Sequence, residues 1–399
     1  MTAAPRGSAR EVFLVFLGLG LCSFGGPVAH LGYYRENLVR RRGWLDDAQY
    51  ARLVALCQFL PGPTSSQVGQ AIGLTRAGLP GLLAAWLGFT LPSAALMIGL
   101  AVGLGTAGGA AAVAGAGWLH GLKLAAVAVV AHAVLTMGRS LAPDGQRLLI
   151  VAAAAIVALL WPHPAGQVAA LLGGAALAFA LPLPRTGAAA GEPLQVAVPR
   201  GVARGCLGVF VLLLLGLPLA AALLPGGLTG LVDGVYRAGS LVFGGGHVVL
   251  PLLEREVAAP AGLDSSAFLA GYGVAQALPG PLFSFAGYLG ASAHPAIPVV
   301  AGLVAVVAIF LPGTLLLIGV LPWWERLSTM ARVRRGVMGV NAAVVGLMAA
   351  ILWDPVIRVG ITGWIEVAIA ALAFAGLVSG RVRVYLLVPA CALAGYLLL

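Results

Sequence analysis

Lys123 is the only lysine in the chain, and it sits in an apolar run, 112–138, that no acidic residue shares. An ammonium in such a run costs about 2.5 to 3.5 kcal/mol on membrane-insertion scales, so it must face a cavity or a partner. Either it is neutral or a bound anion is its counter-ion; snorkelling or bonding to backbone carbonyls is the structural alternative. Two other stretches offer donors of a similar kind. Gln58-Phe59-Leu60-Pro61-Gly62-Pro63 returns as Gln276-Ala277-Leu278-Pro279-Gly280-Pro281, five of six residues identical, 218 positions later (276 − 58). Pro-Gly-Pro cannot continue a helix. Pro63 and Pro281, like Pro27, would stand in the first turn of the helix that follows, where proline is favoured. The unpaired N–H groups of such helix ends attract anions. Thr64, Ser65, Ser66 and Gln67 follow the first break and Ser284 the second, adding hydroxyl and amide donors. The alternative is that these prolines merely kink packed helices.

Two more breaks carry Gly25-Gly26 and Gly244-Gly245, and just beyond them lie His30 and His247. Each histidine could donate to a substrate, take part in proton movement or serve structure. Asn341 lies 218 positions after Lys123, a neutral polar residue in an otherwise apolar run. Gln58 and Gln276 could hold the broken backbone or the substrate. His120 and His132 share the Lys123 run at spacings that make no metal site, and Cys22, Cys57, Cys206 and Cys391 have no metal or redox spacing. No metal set, cofactor motif, buried acid pair or nucleophile with its base stands out, which argues against a membrane-embedded enzyme acting on lipid phosphates. The acidic residues fall in loops or near predicted ends, with Glu366 the least clear, and Glu254 and Glu256 read as an exposed outer loop. A cation carrier needs buried carboxylates, so that class is disfavoured.

The elements that must position these residues are membrane helices. Of 399 residues 60% are hydrophobic and 9% charged, with mean hydropathy +1.01, whereas soluble domains carry about 25% charge. The net charge of +10 is not a nucleic-acid signal, because all the basic residues but Lys123 are arginines scattered over loops, as positive-inside topology requires. No removable signal peptide is read at the N-terminus. Phe24-Gly25-Gly26 matches Phe243-Gly244-Gly245, Gly121 matches Gly339, and Leu91-Pro92 matches Leu311-Pro312, all at offsets of 218 to 220. The chain therefore reads as two homologous halves, 9–182 and 228–399, separated by 183–227, a polar linker plus one extra helix at about 203–224. A broken leg of about 14 residues spans only ~21 Å of a ~30 Å hydrocarbon core and cannot cross alone. Reading the breaks as re-entrant hairpins puts every arginine cluster on the cytoplasmic side, whereas crossing broken helices would strand Arg35 to Arg42 outside. The expectation is an all-α polytopic membrane protein with two inverted-topology halves, whose broken or re-entrant helices meet near the membrane midplane.

The motifs Phe24-Gly25-Gly26-Pro27-Val28-Ala29-His30, Arg41-Arg42-Gly43-Trp44-Leu45, Gln58 to Pro63 with Ser65 and Gln67, and Phe89-Thr90-Leu91-Pro92 resemble the chromate ion transporter (CHR) family, long-chain type. The second half adds Phe243-Gly244-Gly245-Gly246-His247, Gln276 to Pro281 and Phe310-Leu311-Pro312-Gly313. The resemblance implies export of chromate across the bacterial inner membrane, sulfate as the close structural analogue, and a thirteen-helix description. The site read from the breaks, the donors and the lone lysine joins Gly25, Gly26, His30, Gln58, Gly62, Thr64, Ser65, Ser66, Lys123, Gly244, Gly245, His247, Gln276, Gly280, Ser284 and Asn341. The partners are then the anion and the lipid bilayer, without nucleic acid, and a homodimer is left open. Sulfate or other oxyanion uptake is the other transport reading. Gly246 stands where the first half has Pro27, and the second half lacks the Arg-Arg-Gly-Trp run, so the halves need not play equal roles.

Overall fold

The computed structural model describes residues 7–24, 26–106, 117–161, 164–182, 198–224, 228–242 and 249–399. Gly25, Gly244, Gly245 and His247 of the predicted site lie outside these residues, as does the start of the 112–138 run. Every regular element among the described residues is helical. The first part of the chain forms α1 (Ala9–Cys22), α2 (Gly26–Tyr34, continued by a π turn, Arg35–Arg41), α3 (Asp47–Phe59), α4 (Thr64–Thr106), α5 (Gly117–Leu141), α6 (Gly145–Leu160) and α7 (Pro164–Ala180). After α8 (Arg200–Leu223) come α9 (Leu228–Leu241), α10 (Val249–Leu253, continued by a π turn, Glu254–Ala258), α11 (Ser265–Ala277), α12 (Phe285–Ala293) and α13 (Pro298–Val320). Then follow α14 (Trp324–Thr329), α15 (Ala331–Ile351), α16 (Trp364–Val378) and α17 (Val384–Leu398).

Local chemistry sets the helix starts. Asp46 and Gln49 form a reciprocal capping box on α3, and Asp264, 218 positions later, accepts from the N–H groups of Ser266 and Ala267 on α11. Asp144 caps α6 in the same way, so three of the acidic residues at helix starts are caps. Inside α4, Ala77 and Gly78 leave helical geometry, Gly78 at φ +66°, so the helix is two arms joined by a bend.

The broken segments fold back on themselves. Phe16 and Tyr34 stack edge to face at 5.6 Å on the two legs that flank residue 25, and Arg76 on α4 lies 5.1 Å over the Trp44 ring just before α3. In the second part, Phe268 and Phe285 meet at 5.3 Å and the Tyr288 hydroxyl donates to the Ala267 carbonyl at 3.1 Å, closing α11 onto α12. Arg237 Nη2 on α9 reaches Glu256 Oε2 at 2.9 Å and Asp233 Oδ2 at 2.7 Å. This corrects one expectation: Glu256 is buried, not part of an exposed loop, because the preceding leg brings a guanidinium to it. Of the four cysteines, Cys57 and Cys391 are buried and Cys22 is exposed.

Among the described residues five helical stretches are long and apolar enough to cross a membrane: Thr64–Gly105, Gly117–Arg139, Arg200–Leu223, Pro298–Trp323 and Ala331–Gly360. On α8, Val209, Leu212, Leu215, Leu219 and Leu223 stand exposed, a surface suited to lipid. The long helices are exchanged between the two parts of the chain: α5 packs on α16 and α17, and α15 packs on α6 and α7. Two glycines 218 positions apart permit the close approach, since a Cβ on Gly121 would strike the Cys391 backbone and one on Gly339 the Gly174 backbone.

Candidate functional site

The two Pro-Gly-Pro turns are built alike. Gly62 lies at φ +124° and Gly280 at φ +95°, conformations that a Cβ disfavours. Each turn is tied to the end of a helix from the other part of the chain. Gly62 N–H donates to the Val242 carbonyl at 2.6 Å, just past α9, and Gly280 N–H donates to the Ser23 carbonyl at 3.0 Å, just past α1. The donors Gly62 and Gly280 stand 218 positions apart (280 − 62), and the acceptors Ser23 and Val242 stand 219 apart (242 − 23). Behind Gly62, Gln67 Nε2 donates to the carbonyls of Pro61 and Gly313, both at 3.0 Å, and Gln70 Nε2 to Thr314 Oγ1 at 2.9 Å. Behind Gly280, the hydroxyls of Ser93 and Ser284 lie 2.6 Å apart, and Ser93 also donates to the Thr90 carbonyl at 3.1 Å. A hydroxyl has one proton, so Ser284 is the donor to Ser93.

His30, fully buried, joins this knot to the start of α4. Its Nε2 lies 3.2 Å from the Ser23 carbonyl and its Nδ1 3.2 Å from Ser65 Oγ. A carbonyl only accepts, so Nε2 carries the hydrogen; in the neutral ring Nδ1 then accepts from the Ser65 hydroxyl. The ring also meets Phe89 edge-on at 5.1 Å. His30 and Ser65 therefore hold the breaks together through bonds already made.

Other polar groups remain unspent. Thr64, Ser65, Ser66 and Gln67 are all buried in the first turn of α4, and the hydroxyls of Ser66, Ser23 and Thr90 are buried without a hydrogen-bond partner. Of these, Ser66 stands in the first turn of α4, where the partial positive charge of the helix end favours an anion, whereas Ser23 caps the C-terminus of α1 and Thr90 lies inside α4. Sequence reasoning missed Ser23, Thr90 and Ser93. Their signal was weak: single hydroxyls in or at the end of apolar helices, with no spacing that announces chemistry.

Gly26 opens α2 at φ +76°. The two motif glutamines differ: Gln276 is buried and hydrogen-bonds with Tyr272, whereas Gln58 is exposed. Lys123 is placed apart from the breaks. It lies in the second turn of described α5, and its Nζ donates to Ser266 Oγ at 3.2 Å, at the opposite end of α11 from Gln276. It lines a cavity of about 340 Å³ with Asp264, Ser266, Tyr288 and Ser292. Asp264 thus offers the negative partner that the 112–138 run lacks. Asn341 on α15 is half-buried with its Oδ1 unpartnered.

Folded-back helical hairpins whose breaks meet around unpartnered donors, within a bundle of apolar helices, describe a multi-pass membrane transporter and not an enzyme. The family is now plain from comparison. The chromate transporter family model matches residues 10–179 and again 229–396, and the chain belongs to that family. It is 28% identical to the chromate transport protein of Pseudomonas aeruginosa over 98% of this chain and 93% of that protein. It is 28% identical to a probable chromate transport protein of Synechococcus elongatus, covering 86% of this chain and 84% of that one. The chromate transport protein of Cupriavidus metallidurans is 26% identical, over 86% and 81% respectively. No solved structure matches the chain significantly.

Proposed function

We propose that this protein exports chromate from the cytoplasm across the bacterial inner membrane, binding it as a tetrahedral dianion where the four breaks converge, with sulfate as the close analogue. The reading rests on one observation above others: the reciprocal bonds from Gly62 to Val242 and from Gly280 to Ser23. They bring the two Pro-Gly-Pro turns against the opposite halves and leave helix N-termini and hydroxyls unspent between them. The double match to one family model supports two homologous halves, 9–182 and 228–399, and the single helix α8 between them supports inversion of the second. With the hairpins re-entrant, the arginine clusters share the cytoplasmic side.

A dianion moving outward gains about 4.6 kcal/mol per 100 mV of inside-negative potential, twice the ~2.3 kcal/mol of a single charge. Export then needs no coupling ion. Lys123, beside Asp264, serves the same path at a point removed from the breaks. Chromate and sulfate flux in proteoliposomes, wild type against Lys123→Ala, tests the reading. Chromate flux reduced in the variant and inhibited by sulfate is expected; sulfate flux without chromate flux would replace export with an oxyanion-uptake function.

A further inference from the structure

Three arginines near the start of α15 meet different fates. Arg332 is exposed. Arg335 donates to the Ala178 carbonyl at 2.6 Å and to the Leu181 carbonyl, so it caps the last turn of α7, where a cation is favoured. Arg334 lies between them in sequence but is turned inward, and its Nε and Nη1 are buried with no hydrogen-bond partner. Other arginines with an unpaired buried nitrogen, such as Arg147, Arg237 and Arg255, have another partner for the same guanidinium. Arg334 is half-buried, and two of its three guanidinium nitrogens are out of water without an acceptor, which is costly; an acceptor arriving from solution removes that cost.

The helix geometry tells where Arg334 points. Gly339 packs against α7, Gly346 against α6, and Arg335 reaches α7, so that face of α15 is occupied. At about 100° per residue, Arg334 and Asn341 lie on the opposite side, seven residues apart and nearly in line. Asn341 stands two residues past Gly339, as Lys123 stands two residues past Gly121. Lys123 faces the cavity shared with Asp264 and Ser266, so Asn341 and Arg334 occupy the corresponding face of the exchanged helix. The Asn341 amide is also short of a partner, and rotating it presents an N–H. The distance between the two along the helix is about 10 Å.

We propose that Arg334 is an oxyanion-binding residue at the cytoplasmic mouth of the transport path, taking a tetrahedral dianion through its guanidinium fork and passing it along the same face of α15 to Asn341. The assignment rests on the export reading. It suits arginine and not lysine, because two parallel N–H groups match two oxygens of the anion.

The test uses inside-out membrane vesicles, whose cytoplasmic face meets the added chromate. Arg334→Ala should raise the half-saturating chromate concentration about tenfold, the loss of one charge-assisted contact, with Arg332→Ala unchanged and Arg334→Lys between. In a cysteine-free background, chromate or sulfate should slow the reaction of Arg334→Cys with an impermeant thiol reagent. Unchanged half-saturation in Arg334→Ala together with no protection of Arg334→Cys overturns the proposal. If wild-type vesicles accumulate no chromate, the export reading falls, and protection of Arg334→Cys by the anions then decides the binding site by itself.

Discussion

Gly280→Ala tests the joint between the second Pro-Gly-Pro turn and the end of α1. At φ +95° a residue with a Cβ is strained by about 1–2 kcal/mol. The new Cβ would also lie 2.8 Å from Ser93 Oγ and 3.3 Å from the Phe89 carbonyl, too close for either to stay in place. Relief by moving the turn breaks the Gly280 to Ser23 bond, worth about 1 kcal/mol. The expected loss is about 2–3 kcal/mol in all. Thermal or denaturant unfolding in detergent reads it, and chromate flux should fall with it. The second substitution Ser93→Gly, which copies the Gly313 that faces Gly62, removes the Ser93 part of the clash and leaves the Phe89 carbonyl contact and the backbone strain. The double variant should therefore recover part of the loss but not all of it. A Gly280→Ala protein within about 0.5 kcal/mol of wild type, carrying chromate normally, would refute the turn geometry and the cross-contact together.

Three further outcomes follow from the same structure. Gln58→Cys in a cysteine-free background should react readily with an impermeant thiol reagent and Gln276→Cys slowly, because only the first side chain is exposed; equal rates would contradict the difference between the two breaks. Arg237→Met strands the buried carboxylates of Asp233 and Glu256 beside each other and should cost about 3 kcal/mol in detergent unfolding, against little for the exposed Arg332→Met. Asp47→Asn should be nearly neutral: Arg35 holds that carboxyl below the usual range by a hydrogen bond, so the pair contributes above the ordinary aspartate range and is lost as pH falls through the depressed value. Both side chains are exposed, so an unfolding curve from pH 7 to 3 should show no step from this pair beyond that of Asp47→Asn.

Spacing along the chain carried much of the architecture. The bounds of α3 and α11, Asp47–Phe59 and Ser265–Ala277, stand 218 positions apart at both ends, the offset read from the Pro-Gly-Pro motifs. Their caps Asp46 and Asp264 follow suit, since a carboxylate that accepts first-turn N–H groups is a local signal. What the sequence hides is which distant helix comes alongside. Glu256, two residues after Glu254, looked solvated until Arg237 on the opposite leg was seen beside it. Lys123 looked like a partner of the breaks because both are polar interruptions of apolar runs, yet α11 holds them at opposite ends. Ser23 and Ser93 carry no motif, Thr90 stands in Phe89-Thr90-Leu91-Pro92 with nothing there to mark its hydroxyl, and only the folded-back legs bring Ser93 to Ser284 and Ser23 to Gly280. Arg334 is one arginine among several, distinguished by two buried nitrogens without an acceptor, where Arg332 is exposed and Arg335 bonds to carbonyls.

The central claim is that the paired breaks form an outward path for a dianion. Its most direct test is chromate flux in proteoliposomes with an imposed potential and equal pH on both sides, comparing wild type with Gly62→Ala/Gly280→Ala. Chromate should move toward the positive side in the wild type, faster as the potential rises, and hardly at all in the double variant. Flux that ignores the potential and follows only a pH gradient, or that persists in the double variant, would contradict it.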